Sequence, residues 1–223
     1  MEIPDRAGVM ILGGCNLFPQ ALFPLFIFEP RYRSMLAETL ETNRMFCLAM
    51  QKPGVTRETP CTVAGLGLVR ASVLNENGTS HLILQGLVRV RLKKAVRYKP
   101  YRQHLIEPLV APAHDSLIVD ALVARTLELV EARLGLGTKL PLAMLQQLAG
   151  GPAQQTVDIE ACIRALRQIT DPGALADFVA TMLLSDGLAR QVILQTVEIE
   201  ERLKHLVHFL MGEIVRVQKS SPR

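Results

Sequence analysis

Phe18-Pro19-Gln20-Ala21-Leu22-Phe23-Pro24-Leu25-Phe26-Ile27-Phe28-Glu29-Pro30-Arg31-Tyr32-Arg33 holds four of the seven phenylalanines of a chain without tryptophan, so the aromatic weight of the molecule is gathered here. Leu22 to Phe28 is apolar throughout and bounded by proline, the pattern of a short buried strand. Pro24 lies inside it and has no N–H for a ladder, which predicts a strand with a free side or a bulge. Glu29-Pro30 stops the strand and opens a helix, because the missing proline N–H would be unpartnered at the first helical position anyway. A carboxylate just upstream also suits the positive end of the helix dipole. Phe28, Glu29, Pro30, Arg31 and Tyr32 thus form a structural corner, and Tyr32, Met35, Leu36 and Leu40 recur on one side of the helix that follows.

Working outward, Val9 to Leu12 predicts a first strand and Gly13-Gly14 a turn. Met45 to Met50 predicts another strand, and Lys52 to Pro60 a polar loop. Cys61 to Leu74 reads as a long strand interrupted by Gly65 and Gly67, residues that mark bulges or sharp bends. Asn77-Gly78 predicts a two-residue type I′ hairpin between Val73-Leu74 and Leu82 to Leu84. Val88-Arg89-Val90-Arg91-Leu92-Lys93 alternates strictly, and Gln103 to Val110 gives a last strand. About seven short antiparallel strands with glycine corners predict a closed or nearly closed barrel.

After Pro112 the period becomes helical. One helix from Leu117 stops at Gly135-Leu136-Gly137, a second spans Pro141 to Leu148, and a third Val157 to Ile169. Asp171-Pro172 starts the next, Ser185 caps another, and Thr196 opens the last, which runs through Val217. Leu203, Leu206, Val207 and Leu210 line one face of that helix, with Glu200, Arg202 and Lys204 expected elsewhere. The chain is therefore expected to be an α+β protein of two domains, 1–113 and 114–223.

Leu17-Phe18-Pro19, Leu22 to Leu25 and above all Ile27-Phe28-Glu29-Pro30-Arg31-Tyr32-Arg33-x-Met35 resemble the opening of the LON substrate-binding domain. That domain precedes the ATPase in Lon proteases and also occurs as a stand-alone protein. Gly65-x-Gly67, Asn77-Gly78, Gly86-Leu87-x-Arg89-x-Arg91 and Pro100-Tyr101 are similar in spacing, and so is the helical half from Ile169-Thr170-Asp171-Pro172 to Glu213-Ile214. The resemblance implies an N-terminal antiparallel PUA-like β pseudobarrel with one packed helix, followed by a C-terminal α-helical bundle. It also implies non-catalytic binding of protein, including unfolded or extended polypeptide. Phe26 departs from the pattern, since the family usually carries a polar or basic residue there.

Catalysis is not expected. Gly135-x-Gly137-Thr138-Lys139 lacks the Gly-Lys pair and first glycine of a phosphate loop, Arg70 stands where a third glycine would complete a GxGxxG, and GxSxG is absent. A stand-alone domain is expected, without ATPase or peptidase and with no cofactor. No metal is expected either: His205-x-x-His208 with Glu201 lacks HExxH and any cysteine pair, and reads as a solvated helix face. Four scattered cysteines, Cys15, Cys47, Cys61 and Cys162, point to a reducing compartment. Val9 to Phe28 is uncharged but broken by Gly13-Gly14, Pro19 and Pro24, unlike a membrane helix. The expected location is the cytoplasm, without a membrane partner, and the oligomeric state is left open.

Two surfaces are candidates for binding. Residues 1–113 carry 14 Lys+Arg against 8 Asp+Glu, whereas 114–223 carry 11 against 13, so cationic chemistry belongs to the first domain. There, Arg89, Arg91, Lys93, Arg97 and Tyr101 form a stripe that suits a phosphate backbone and stacked bases, the basis of an alternative RNA-binding reading. An ordinary polar strand face gives the same pattern. The second surface is the phenylalanine-rich strand. Successive side chains alternate, so Phe26 and Phe28 point away from Leu25 and Ile27. Phe28 is expected to be sandwiched under the helix and Phe26 exposed, with Phe18, Phe23 and Phe26 lining a groove for polypeptide.

Overall fold

A computed structural model describes residues 2–112, 116–137 and 159–220. The chain divides into two compact units, Met1–Val110 and Ala111–Arg223.

The first unit contains β1 (Arg6–Leu12), β2 (Leu22–Ile27), α1 (Pro30–Leu40), β3 (Met45–Met50), β4 (Val63–Leu74), β5 (Ser80–Arg97) and β6 (Gln103–Pro108). The sheet order is β2-β5-β4-β3-β1-β6, and β6 also pairs with β5, so five strands return on themselves and β2 stands outside at the edge. The expected all-antiparallel arrangement is corrected at one place: β1 and β3 run parallel, Val9 opposite Cys47 and Met10 opposite Leu48. A parallel pair needs a long crossover, and β2 with α1 supplies it. Six strands replace the expected seven, because Leu82 to Leu84 and Val88 to Lys93 belong to one strand of 18 residues. That strand absorbs its irregularity as a bulge at Leu87, between the pairs Leu66–Val88 and Gly67–Gly86.

Two of the glycines are required by close approach. A Cβ on Gly65 would lie 2.1 Å from the Leu17 carbonyl oxygen, and one on Gly86 would lie 1.9 Å from that of Phe18. The Leu17-Phe18 backbone therefore crosses the sheet in direct contact with bare Cα positions. Gln20 N–H donates to the Gly86 carbonyl and Gly86 N–H to that of Ala21, both at 2.9 Å, which fixes the entry into β2. The β4–β5 turn also differs from expectation. Only Gly78 has positive φ, at 75°, and Asn75 N–H closes the loop onto the Thr79 carbonyl, so the turn is longer than a type I′ pair. Asn77 contributes its side chain instead, accepting from Thr79 N–H at 3.0 Å.

Alternation divides the core in two. Met10, Leu25, Ile27, Phe46, Leu48, Leu82 and Leu84 pack with Tyr32, Met35 and Leu36 of α1. Val9, Ile11, Cys47, Ala49, Leu66, Val90 and Ile106 pack together in a second cluster. β3 faces both and is buried at every position, as its unbroken apolar run requires.

The second unit contains α2 (Leu117–Gly135), α3 (Ile159–Arg167), α4 (Pro172–Leu183), α5 (Gly187–Gln195) and α6 (Ile199–Ser220). The helix expected over Pro141 to Leu148 lies outside the described residues. Asp171 caps α4 as predicted, accepting from Ala174 N–H at 2.8 Å, with Pro172 in the first turn. Asp186, not Ser185, caps α5; Ser185 is instead held through its N–H and hydroxyl by the buried Glu213 carboxylate. The last helix begins at Ile199 rather than Thr196, which closes α5 through its N–H to Val192. Arg202, expected on the polar side, is buried against Asp177, with Nη1 3.4 Å from Oδ1. No described helix is long and apolar enough to cross a membrane.

Candidate functional site

β2 is an edge strand, bonded to β5 alone among the described strands, which accommodates Pro24. Its inner side chains Leu25 and Ile27 are buried, while Leu22, Pro24 and Phe26 face outward. Register extends this outer face across three strands: Phe26 lies opposite His81 and His81 opposite Val73, and Pro24 lies opposite Ile83 and Ile83 opposite Ala71. These rows line an open groove of about 420 Å³. Phe26 is 49% exposed, Phe28 58%, Val73 63% and Leu74 73%. The Phe26 ring stacks on Phe28 at 5.9 Å and tilts over His81 at 4.7 Å.

The structure redistributes the expected rings. Phe18 is 1% exposed and cannot line a groove, because its segment is pressed onto the glycines of the sheet. Phe23 points inward and packs against the core. Phe28 is not sandwiched under α1 but joins Phe26 outside; the alternation that turns Phe26 outward turns Phe28 with it. Val73 and His81 are groove residues that sequence reasoning missed. The period of two in β4 and β5 carried that signal once the register was known.

The basic stripe is not an open cationic face. Arg89 is buried, with its guanidinium 5.9 Å from the Phe18 ring centre. Arg91 and Lys93 converge on Glu107 at 3.2 and 2.8 Å, and Arg97 pairs with Glu38 at 3.0 Å while covering the Tyr101 ring. Tyr101 is buried and has no free face for a base. The residues named for RNA are thus engaged within the chain.

The corner carries a polar network built on Glu58, a residue of the polar loop with no role expected from local pattern. Arg31 binds Glu29 at 2.8 Å and Glu58 at 2.5 Å, and Arg102 donates to the Glu58 carbonyl at 2.5 Å. The Tyr32 hydroxyl accepts from Ile11 N–H at 3.0 Å and faces the Ile11 carbonyl at 3.2 Å and Glu58 Oε1 at 3.4 Å. Burial pushes the Tyr32 phenol up to about 12, and burial with the Glu38 hydrogen bond does the same for Tyr101. Unfolding lets both ionise near their ordinary value of 10.0. Their contribution to stability is therefore complete below pH 10 and lost as pH rises through 12. Chemical denaturation midpoints should fall across that alkaline window, and an invariant midpoint would contradict the burial of these phenols. Among the described residues no group of three or more His, Cys, Asp or Glu could hold a metal ion.

A mixed sheet with an exposed apolar edge face is followed along the chain by a helical unit. The chain belongs to the ATP-dependent protease La (LON) substrate-binding domain family, whose profile matches residues 8–212. It is 24% identical over 216 residues to the Lon protease of Dictyoglomus thermophilum, covering 96% of this chain and 25% of the relative. With that of Xanthomonas oryzae pv. oryzae it is 28% identical over 211 residues, covering 92% and 23%. The chain thus spans about a quarter of the length of the curated relatives it matches, and the match gives no catalytic domain. In fold it is similar to the N-terminal domain of the Mycobacterium avium complex Lon protease, with a TM-score of 0.67 at 16% identity, covering 92% of this chain and 98% of that one. A Lon N-terminal domain protein from Xanthomonas campestris gives a TM-score of 0.58 at 16% identity, with the same coverage.

Proposed function

We propose that the outer face of β2, β5 and β4 binds exposed segments of unfolded polypeptide without catalysing their cleavage. The observation that carries this reading is the exposed apolar surface of Phe26 and Val73 in a groove on the edge strand β2, with Phe28 stacked on Phe26 beside it. Contiguous exposed apolar area of this kind is a mark of interaction sites. A strand edge offers backbone bonds to any extended chain, and the groove takes a side chain without close reading of sequence. Membership of a family described as substrate-binding supports the same reading.

Binding of an unfolded model protein by wild type and Phe26→Ser, with thermal melts of both, tests it. The variant is expected to bind about tenfold more weakly, as for loss of a central anchor. Its stability should stay within about 1 kcal/mol of wild type, because the ring is half in solvent. Unchanged binding would exclude Phe26 from the site.

A further inference from the structure

The rows that form the groove have an unusual charge balance. Leu22 to Phe28, Arg70 to Leu74 and Ser80 to Gln85 contain two basic side chains, Arg70 and His81, and no carboxylate. Arg70 is the extra residue of a bulge: Val69 pairs with Leu84 and Ala71 with Ile83, leaving Arg70 unmatched. It is exposed, directly precedes the groove residue Ala71, and makes no ion pair among the described residues. At the opposite end the Arg33 guanidinium lies over the β4–β5 turn, where a Cβ on Gly78 would meet Nη2 at 2.0 Å. Arg33 is likewise exposed and, among the described residues, outside any ion pair, unlike Arg31, Arg91 and Arg97. Two carboxylates are close in sequence to these rows: Glu29, which follows Phe28 and is paired with Arg31, and Glu76 in the same turn.

Resting on the reading of this face as a polypeptide groove, we propose that its preferred occupant is an extended segment that places an acidic side chain two to four residues from a large apolar one. The apolar side chain seats against Phe26, Val73 and His81. At the ordinary strand rise of about 3.3 Å per residue, Arg70 lies roughly 7–10 Å further along β4 from the Val73 row, which sets the spacing. Segments rich in Lys or Arg are rejected, since a second cation near Arg70 meets repulsion with no carboxylate in these rows to offset it.

The test uses labelled peptides of one apolar core flanked by Glu, Gln or Lys, titrated by fluorescence anisotropy against the whole chain. The Glu peptide is expected to bind roughly five- to tenfold more tightly than the Lys peptide at low salt, with the gap closing as added salt shortens the screening length. Arg70→Glu should reverse the order, and Arg70→Gln should abolish the difference while the Gln peptide binds as before. Equal binding of all three peptides, still weakened by Phe26→Ser, would overturn the charge preference and leave the groove in place. Absence of binding by any peptide, or concentration-dependent self-association that masks Phe26, would overturn both.

Discussion

Truncation of Tyr32 to alanine is expected to destabilise the first unit by about 4 kcal/mol or more, beyond the usual loss for a buried ring. The excess arises from where its hydroxyl sits. β6 is registered with β1 only over Arg6 to Gly8, so further along β1 that side of the sheet has no neighbouring strand among the described residues. The Tyr32 hydroxyl takes the place of the missing strand, serving both the N–H and the carbonyl of Ile11. Alanine removes a ring packed in the core and strips both groups of their partner. Tyr32→Phe isolates the second effect and should cost on the order of 1–3 kcal/mol by itself. Denaturant titration of the three proteins measures it. A phenylalanine variant indistinguishable from wild type would mean that Ile11 is satisfied without the phenol.

In the second unit, Arg202→Ala should cost about 3–5 kcal/mol, the scale for stripping one partner from a buried ion pair. Both side chains are almost fully enclosed, at 3% and 5% exposure. Beyond Asp177, the same guanidinium donates to the carbonyls of Thr196 at 2.8 Å and Val197 at 2.9 Å, just past the end of α5. A cation there also meets the negative end of that helix. One planar fork thus ties α4, the close of α5 and the start of α6. Lysine cannot span three acceptors, so Arg202→Lys should recover little. Replacing both residues, Arg202→Met with Asp177→Leu, should recover most of the stability, because no charge is then left buried. Helical signal followed through thermal denaturation distinguishes the cases; full rescue by lysine would show that charge alone matters.

These two residues mark the boundary of what the sequence makes legible. Pro30 at a helix start, Asp171 as a cap and the outward turn of Phe26 follow from local rules of backbone geometry and alternation, and the structure has them. Phe28 obeys the same alternation and turns outward with Phe26, because the pleat and not the following helix sets its direction. The parallel pairing of β1 with β3 is set by the crossover and by contacts more than thirty residues apart, which no local pattern encodes. Arg202 and Arg89 read as surface cations because the carbonyls, rings and carboxylates that permit their burial come from other elements. Glu58 lies in a loop whose composition is ordinary, and its role appears only when Arg31 and Arg102 are brought to it. The groove was half visible: one strand of it could be named, but not the two beside it.

The pairing of β1 with β6 places Arg6 opposite Leu105, so the first and last strands of the unit are neighbours. On a ribosome, β1 therefore waits for nearly a hundred further residues before one of its two edges can be filled. The delay is kinetic far more than thermodynamic, since loop-closure entropy grows only with the logarithm of length, about 0.6 kcal/mol per doubling. What it sets is a time during which one edge of an apolar strand has no partner, and non-local strand pairings of this kind are the slow steps of folding. During that interval the chain itself exposes a segment of the kind its groove is proposed to bind.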